Sequence, residues 1–372
     1  MIFHILGLAH IPTRKEYSCC AYTQKIYKLC KMLKSLGHTV YFYGVETSDV
    51  ECDENITVLD INVLEKVYGK YNYNVQFFKH DPNDEAYMTF NTNAIKAINE
   101  RKSNADFILV TMGNYQKPIT DAVRLDMAVE SGIGYEGIYL NKRVFESYAW
   151  MHYVYGLIKQ SDGVWFDCVI PNYYDPNDFV YSDKKENYAL YMGRIINRKG
   201  VYVAAESTKY VGIPLYVVGQ GSIKSNELDL SVYKHITYLP AVGVERRAEL
   251  MSKAIAVFTP TYYIEPFGGV AVEAQMCGTP VISTDWGAFS ETVLHGKTGY
   301  RCRTLEQFIW AIKNIDKINP IDCRNWATEN YNLDKCARMY DEYFNMLNTL
   351  WYNGWYEMRQ RDNLAWLSKS YP

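Results

Sequence analysis

The chain has 372 residues, 48% of them hydrophobic and 22% charged, which gives room for about two domains of ordinary size and excludes a disordered chain. A net charge of −3 supplies no whole-molecule field for nucleic acid or an anionic membrane, although a local basic patch would survive it. The nine cysteines are an odd number with no CxxC pair, which speaks against a disulfide framework or a zinc site and for a reducing cytosol.

The first nine residues are apolar but too short and uncharged a run for a secretory signal, and they read as a first strand over residues 2–8. No segment approaches the roughly 20 apolar residues that cross a bilayer, so the expectation is a soluble, cytoplasmic protein. After a polar loop ending at Cys19 and Cys20, the apolar residues Tyr22, Ile26, Leu29, Leu33 and Leu36 recur at helical spacing, and Gly37 stops the pattern. Residues 38–44 supply the next strand, which completes a first strand-loop-helix-strand unit. Residues 45–105 hold less pattern beyond a helical stretch near 91–101. A buried strand is expected over 106–111 and another over 126–130, ending in Glu130-Ser-Gly-Ile-Gly-Tyr135. Residues 143–152 read as the start of an amphipathic helix, and 163–171 closes the half. Residues 172–187, rich in turn formers and charge, read as an interdomain linker.

A second alternation follows, with strands expected over 189–196, 214–219, 235–239, 254–258 and 281–283. Thr304 and Gln307 form a capping box for a helix over 308–315. Residues 341–372 read as a helical, aromatic tail carrying Trp351, Trp355 and Trp366. Its mixed charge favours packing over an interfacial membrane helix.

The run Glu265-Pro-Phe-Gly-Gly-Val-Ala-Val-Glu273 lies between two short apolar strands, so it reads as a loop and helix at the carboxyl end of a parallel sheet, where ligands bind. The opening amides of that helix and its dipole favour a phosphate, and glycines at 268 and 269 let a ligand approach the backbone. Carboxylates at 265 and 273 suit sugar hydroxyls. Spacing alone leaves a second reading open, in which Glu265 caps the helix and Glu273 is solvated. Gly193-Arg194-Ile-Ile-Asn-Arg-Lys199 ends the first strand of the second half. A guanidinium and an ammonium there would suit a diphosphate.

The two carboxylates within this run, followed by Cys277-Gly-Thr-Pro-Val-Ile-Ser-Thr284, resemble the signature of the retaining nucleotide-sugar glycosyltransferases of family 4, the group 1 transferases. The resemblance implies the α/β GT-B fold, two Rossmann-like domains whose parallel sheets face each other across a cleft. The acceptor domain would be residues 1–172, completed by a C-terminal helix at about 345–372, and the donor domain 173–344. It also implies a donor site of Gly193, Arg194, Lys199 and Gly219, with Leu239 and Ala241 where the base is read through main-chain groups. Glu265, Pro266, Phe267, Gly268, Gly269 and Val270 would line the sugar and phosphate, and Glu273 would hold the ribose. Glu265, Arg194 and Lys199 are the expected catalytic residues. Glu130 is expected in place of a first-domain His, with His152 as a second candidate. Cys19, Cys20, Tyr135, Arg143 and His152 are expected on the acceptor side.

The implied reaction moves a sugar with retention from a nucleotide-diphosphate sugar, UDP-linked or GDP-linked, to an unidentified hydroxyl on a glycan, lipid-linked sugar, protein or modified nucleic acid. No metal and no further cofactor is expected. A nucleotide-sugar epimerase of the same fold and a non-catalytic sugar-nucleotide-binding protein stand as alternatives.

Overall fold

In the computed structural model, the described residues are 1–372 apart from Ser18, Tyr71, 352–354 and 357–372. Contacts divide the chain into two units, one of Met1–Lys70, Lys79–Tyr173 and Leu333–Pro372, the other of Tyr71–Phe78 and Tyr174–Asn332.

The first unit runs β1 (Ile2–Leu6), α1 (Ala21–Ser35), β2 (Thr39–Val45), β3 (Glu54–Leu59), α2 (Ile61–Tyr68), α3 (Glu85–Asn99), β4 (Phe107–Val110), α4 (Lys117–Val123), β5 (Met127–Ile133), β6 (Arg143–Phe145), α5 (Tyr148–Leu157) and β7 (Asp167–Val169). Its sheet has the order β3-β2-β1-β4-β5-β6-β7 with every pairing parallel. The chain leaves β1 in one direction and returns at β4 in the other, which makes the β1/β4 boundary the topological switch point. Strands β1 and β4 are almost wholly buried because helices cover both faces, so they read as continuous apolar runs. Of the stripe that the spacing predicts for α1, Ile26, Leu29 and Leu33 are buried while Tyr22 and Leu36 are half-buried, and Gly37 follows with φ 78.

Residues 143–145 are a strand rather than the start of a helix. Val144 and Phe145 are fully buried between β5 and β7, and Ser147 caps α5 by accepting from the Trp150 amide.

The second unit runs β8 (Ala189–Met192), α6 (Val201–Val211), β9 (Leu215–Val218), β10 (Ile236–Leu239), α7 (Val244–Lys253), β11 (Ala256–Thr259), α8 (Gly269–Met276), β12 (Val281–Thr284), α9 (Phe289–Thr292), β13 (Gly299–Cys302), α10 (Leu305–Lys313) and α11 (Pro320–Tyr331). Its sheet, β10-β9-β8-β11-β12-β13, is again parallel throughout, with the switch point between β8 and β11. Thr304 and Gln307 cap α10 reciprocally, as their spacing predicts.

The chain rejoins the first unit at α12 (Leu333–Leu347), earlier than the expected 345. Phe344 of this helix packs on Phe3 and Phe107, with ring centroids 4.7 and 5.2 Å away, and its Tyr340 hydroxyl lies 3.2 Å from Ser131 Oγ. Beyond it, β14 (Leu350–Trp351) and β15 (Trp355–Tyr356) pair antiparallel where a helix was expected. The rest of the expected tail, Trp366 included, lies outside the described residues.

Candidate functional site

The geometry concentrates at the carboxyl edge of the second sheet, on the two loops that leave its switch-point strands. Lys199 follows β8 and Glu265 follows β11; their side chains meet in an ion pair with Nζ 2.8 Å from Oε2, at 20% and 12% exposure. The loops are also joined through the backbone, because the Tyr262 amide donates to the Arg198 carbonyl at 2.9 Å. The Tyr263 ring carries the Arg198 guanidinium at 4.4 Å and Lys199 Nζ at 4.8 Å from its centroid. Burial, and then the Glu265 carboxylate beside it, push the Tyr263 hydroxyl well above the usual phenol range. Arg194 is exposed, and its charge acts on the Tyr191 and Tyr263 hydroxyls in the opposite sense. Three cations and one carboxylate therefore share one loop pair. Tyr263 and Arg198 were not expected, since neither an aromatic beside the Glu265 run nor one more loop arginine carries a spacing signal.

Gly268 caps α8 with φ 76, and a Cβ there would lie 2.4 Å from the Phe289 ring. A Cβ on Gly269 would lie 2.4 Å from the Tyr174 hydroxyl. These glycines serve internal packing and a left-handed turn, in addition to leaving the α8 amides open. Phe267 is buried with Tyr174 and Tyr331, its ring 5.7 Å from that of Tyr331, and is a core residue.

Glu273, on α8, is paired with Arg247 of α7 through a close contact between Arg247 Nη2 and Glu273 Oε2. The pairing was not legible, because Arg246 and Arg247 are indistinguishable in sequence. Only the fold turns Arg246 to exposed Glu249 and Arg247 to Glu273. Gly193 and Gly219 approach each other so closely that a Cβ on Gly219 would stand 1.8 Å from the Gly193 carbonyl oxygen. Leu239 ends β10, and the Ala241 amide after it is already bonded to the Asn74 carbonyl at 2.9 Å. The Ala241 amide is therefore not free to read a base.

In the first unit the expected residues are not brought together. Glu130 is fully buried on β5, with Oε1 accepting from the Tyr139 amide at 3.2 Å and Oε2 without a partner. It cannot stand in for a sugar-facing His, because it lies within β5, paired with Val110 of β4 on one side and Arg143 of β6 on the other, and not at the strand end. Burial pushes its carboxyl up to about 8. A carboxyl whose folded value lies above its unfolded one contributes stability that is intact below about pH 4 and is lost as pH rises toward that folded value. Glu130→Gln is therefore expected to flatten the pH dependence of the urea midpoint and to exceed the native protein at pH 8, while matching it near pH 4.

Arg143 opens β6, at the edge away from the ligand-binding one. Its Nε and Nη2 grip both Asp167 oxygens at 2.8 and 2.6 Å, so it is a buried structural cation and not an acceptor-side group. Tyr135 is half-buried with its ring against Gly113 and its hydroxyl unsatisfied. His152 is exposed on α5 between Tyr148 and Tyr155, with ring centroids 6.3 and 6.5 Å away. Cys20 is a buried N-cap residue of α1 whose thiol is pushed up by burial, and Cys19 beside it is half-buried. The unexpected residue at this edge is Gln116. Its side chain accepts from the Thr111 and Met112 amides at 2.8 and 3.1 Å and donates to the Gly7 carbonyl at 2.7 Å, joining the loops after β1 and β4.

Among the described residues no group of three or more His, Cys, Asp or Glu side chains could hold a metal ion, and no helix is long and apolar enough to cross a membrane.

Residues 177–332 match the family model of glycosyl transferases group 1, a segment that contains Arg194, Lys199, Glu265 and Glu273. Among curated proteins the chain is similar to a D-inositol 3-phosphate glycosyltransferase of Rhodococcus erythropolis, 33% identical over 32% of this chain and 30% of that one. The chain spans about half, or less, of the length of the curated relatives it matches. Among solved structures, a glycosyltransferase involved in avilamycin A biosynthesis superposes with TM-score 0.68 at 17% identity, covering 93% of this chain and 98% of that one. Anabaena HepE in complex with UDP and glucose superposes with TM-score 0.64 at 14% identity, covering 92% and 99%. The fold is GT-B, two Rossmann-like domains each built on a parallel sheet.

Proposed function

We propose that this chain is a retaining glycosyltransferase that moves a sugar from a nucleotide-diphosphate sugar, UDP-linked in preference to GDP-linked, onto a hydroxyl acceptor. The observation that carries the reading is the Lys199–Glu265 ion pair at the switch point of the second sheet, with Arg194 beside it and the opening of α8 next along the chain. An anionic leaving group needs fixed positive charge where its own charge grows, and Arg194, Lys199 and the α8 amides supply it. Glu265 accepts from donor-sugar hydroxyls, and Glu273 accepts from the ribose.

The reaction breaks the bond between the anomeric carbon and the phosphate oxygen and forms one from that carbon to the acceptor oxygen, on the same face. The acceptor proton passes to the departing phosphate oxygen, and the nucleoside diphosphate leaves. The protein supplies position and electrostatic stabilisation. The UDP and glucose bound to HepE support the choice of donor class.

Incubation with UDP-, GDP- and ADP-sugars tests this reading by the nucleotide released. Slow hydrolysis without acceptor, quickened by the right hydroxyl compound, is the expected result. An isomeric nucleotide sugar as sole product would make the protein an epimerase, and binding without turnover would make it a non-catalytic binder.

With Glu273 holding the ribose, Arg247 is what keeps that carboxylate aimed. UDP is then expected to bind about 10-fold more tightly than 2′-deoxy-UDP, the worth of one charge-assisted hydrogen bond. Arg247→Ala should bring the two within about 2-fold, and Arg247→Lys should restore part of the difference. Calorimetric titration reads all three, and an unchanged ratio in Arg247→Ala would remove the ribose role from this pair.

A further inference from the structure

A short piece of chain from between α2 and α3 belongs to the second unit. Residues 72–78 form a turn that satisfies its own amides. Val75 and Gln76 donate to the Asn72 carbonyl at 3.1 and 2.9 Å, and the Asn74 amide donates to Asn72 Oδ1 at 3.0 Å. With the amides turned inward, four successive carbonyls face outward, and each meets a donor at the carboxyl edge of β9 and β10. Gln220 Nε2 donates to the Tyr73 carbonyl and, at 3.1 Å, to the Gln76 carbonyl. The Gly221 amide donates to the Val75 carbonyl at 2.8 Å and the Ala241 amide to the Asn74 carbonyl at 2.9 Å. The Tyr73 and Phe78 rings stack at the two ends of the turn, 6.3 Å apart and 14° from parallel.

The position of this strap along the sheet gives it a meaning. From the switch point the cation-carboxylate loops lie after β8 and β11, and the Glu273–Arg247 pair ties α8 to α7. Helix α7 starts at Val244, three residues beyond the Ala241 amide on which the strap is docked. A nucleoside diphosphate with its phosphates at Arg194 and Lys199 and its ribose at Glu273 points its base along the same edge, toward β9, β10 and the strap. The Gly221 and Ala241 amides there are already taken by strap carbonyls, so a base arriving at that end meets the strap where it covers the sheet edge.

We propose that residues 72–78 are the base-selecting wall of the donor site. The inference rests on the nucleotide-sugar reading above and names the element that chooses among its bases. The wall offers chemistry suited to the task. Phe77, 42% exposed, carries an aromatic face for stacking, and the exposed Asn74 side chain offers both a donor and an acceptor to a base edge. Gln220, 5% exposed, is the positioning residue that holds the wall in register through its two bonds.

The test is calorimetric titration of UDP, GDP and ADP into the native chain, into a variant with residues 72–78 replaced by a Gly/Ser run of equal length, and into Gln220→Glu. The last exchanges the amide donor for a carboxylate that repels the strap carbonyls and is nearly isosteric. The native protein is expected to prefer one base by about 10-fold or more, and both variants to bind all three diphosphates within about 3-fold of one another while still holding the phosphates. Hydrogen exchange at the Gly221 and Ala241 amides, slow in the native protein and fast in Gln220→Glu, reports undocking independently of binding. A base preference that survives in both variants, or an equal loss of affinity for all three diphosphates, overturns the proposal. A native protein that binds none of them overturns the donor reading first, and the two failures are distinguishable.

Discussion

Glu265→Ala is expected to reduce sugar transfer by about 1000-fold, the scale of removing one preorganised electrostatic partner from a reacting centre. The side chain stands where charge and hydroxyls converge. It is 12% exposed, accepts from Lys199 Nζ at 2.8 Å, and lies beside the Tyr263 hydroxyl. Truncation removes the acceptor proposed for the donor sugar and, among the described residues, leaves the Lys199 ammonium only the Tyr263 ring, so the ammonium is free to swing toward solvent. The fold should survive, because what this residue contributes to the framework is main chain. The Ala288 amide donates to the Glu265 carbonyl at 3.0 Å, and Gly287 packs against the Glu265 amide. With the ion pair partly solvated, the loss of stability should stay at about 1–2 kcal/mol, less than for a fully buried pair. Glu265→Gln keeps an acceptor and the shape but not the charge, and should fall between the two. Nucleotide release measured beside thermal unfolding decides it, and wild-type turnover in a folded Glu265→Ala protein would take the residue out of the site.

The donor half of this picture was legible because its physics is local. Strands β8, β9, β11 and β12 are short apolar runs bounded by glycine, proline or charge, and parallel strands buried on both faces must look like that, while the edge strand β10 is apolar enough to follow them. Strand β13, Gly299–Cys302, opens on glycine and carries Arg301, too mixed a run to announce itself, and β6, Arg143–Phe145, is hidden in a segment whose continuation is helical. Glu130 misled for a related reason. A carboxylate among polar residues at a strand end reads as exposed, but β5 is covered on both faces and its neighbour Arg143 is spent on Asp167. The strap is the least legible element of all. It is held by its main-chain carbonyls, which every residue has, so the bonds that place 72–78 on the second unit leave no trace in the identity of the strap residues themselves. The return at α12 is of the same kind. A stripe that includes Tyr340, Tyr343 and Phe344 states that the helix is buried, not which sheet buries it.

Arg194→Ala should weaken the binding of the nucleoside diphosphate by about 10- to 100-fold, the worth of one or two charge-assisted bonds to phosphate, and leave the unfolding temperature unchanged. The two halves of that expectation come from one observation. Arg194 is exposed, and no ion pair to it occurs among the described residues, so no described carboxylate relies on its guanidinium. Yet its main chain is fixed, since the Tyr191 hydroxyl donates to the Arg194 carbonyl at 2.8 Å and the Gly193 amide to the Val218 carbonyl at 2.9 Å. A charged side chain carried on a pinned backbone at a switch point, and in no ion pair among the described residues, suits the phosphate role proposed for it. Lys199 differs, because its ammonium is shared with Glu265 and its removal would disturb the carboxylate as well. Arg194→Lys restores the charge without the two-pronged grip and should recover only part of the affinity. Since the contact is ionic and exposed, the native affinity should fall with added salt more steeply than that of Arg194→Ala. Titration of UDP at two ionic strengths reads both effects. Equal affinity and equal salt slopes in the two proteins would show that the phosphates bind elsewhere on this edge.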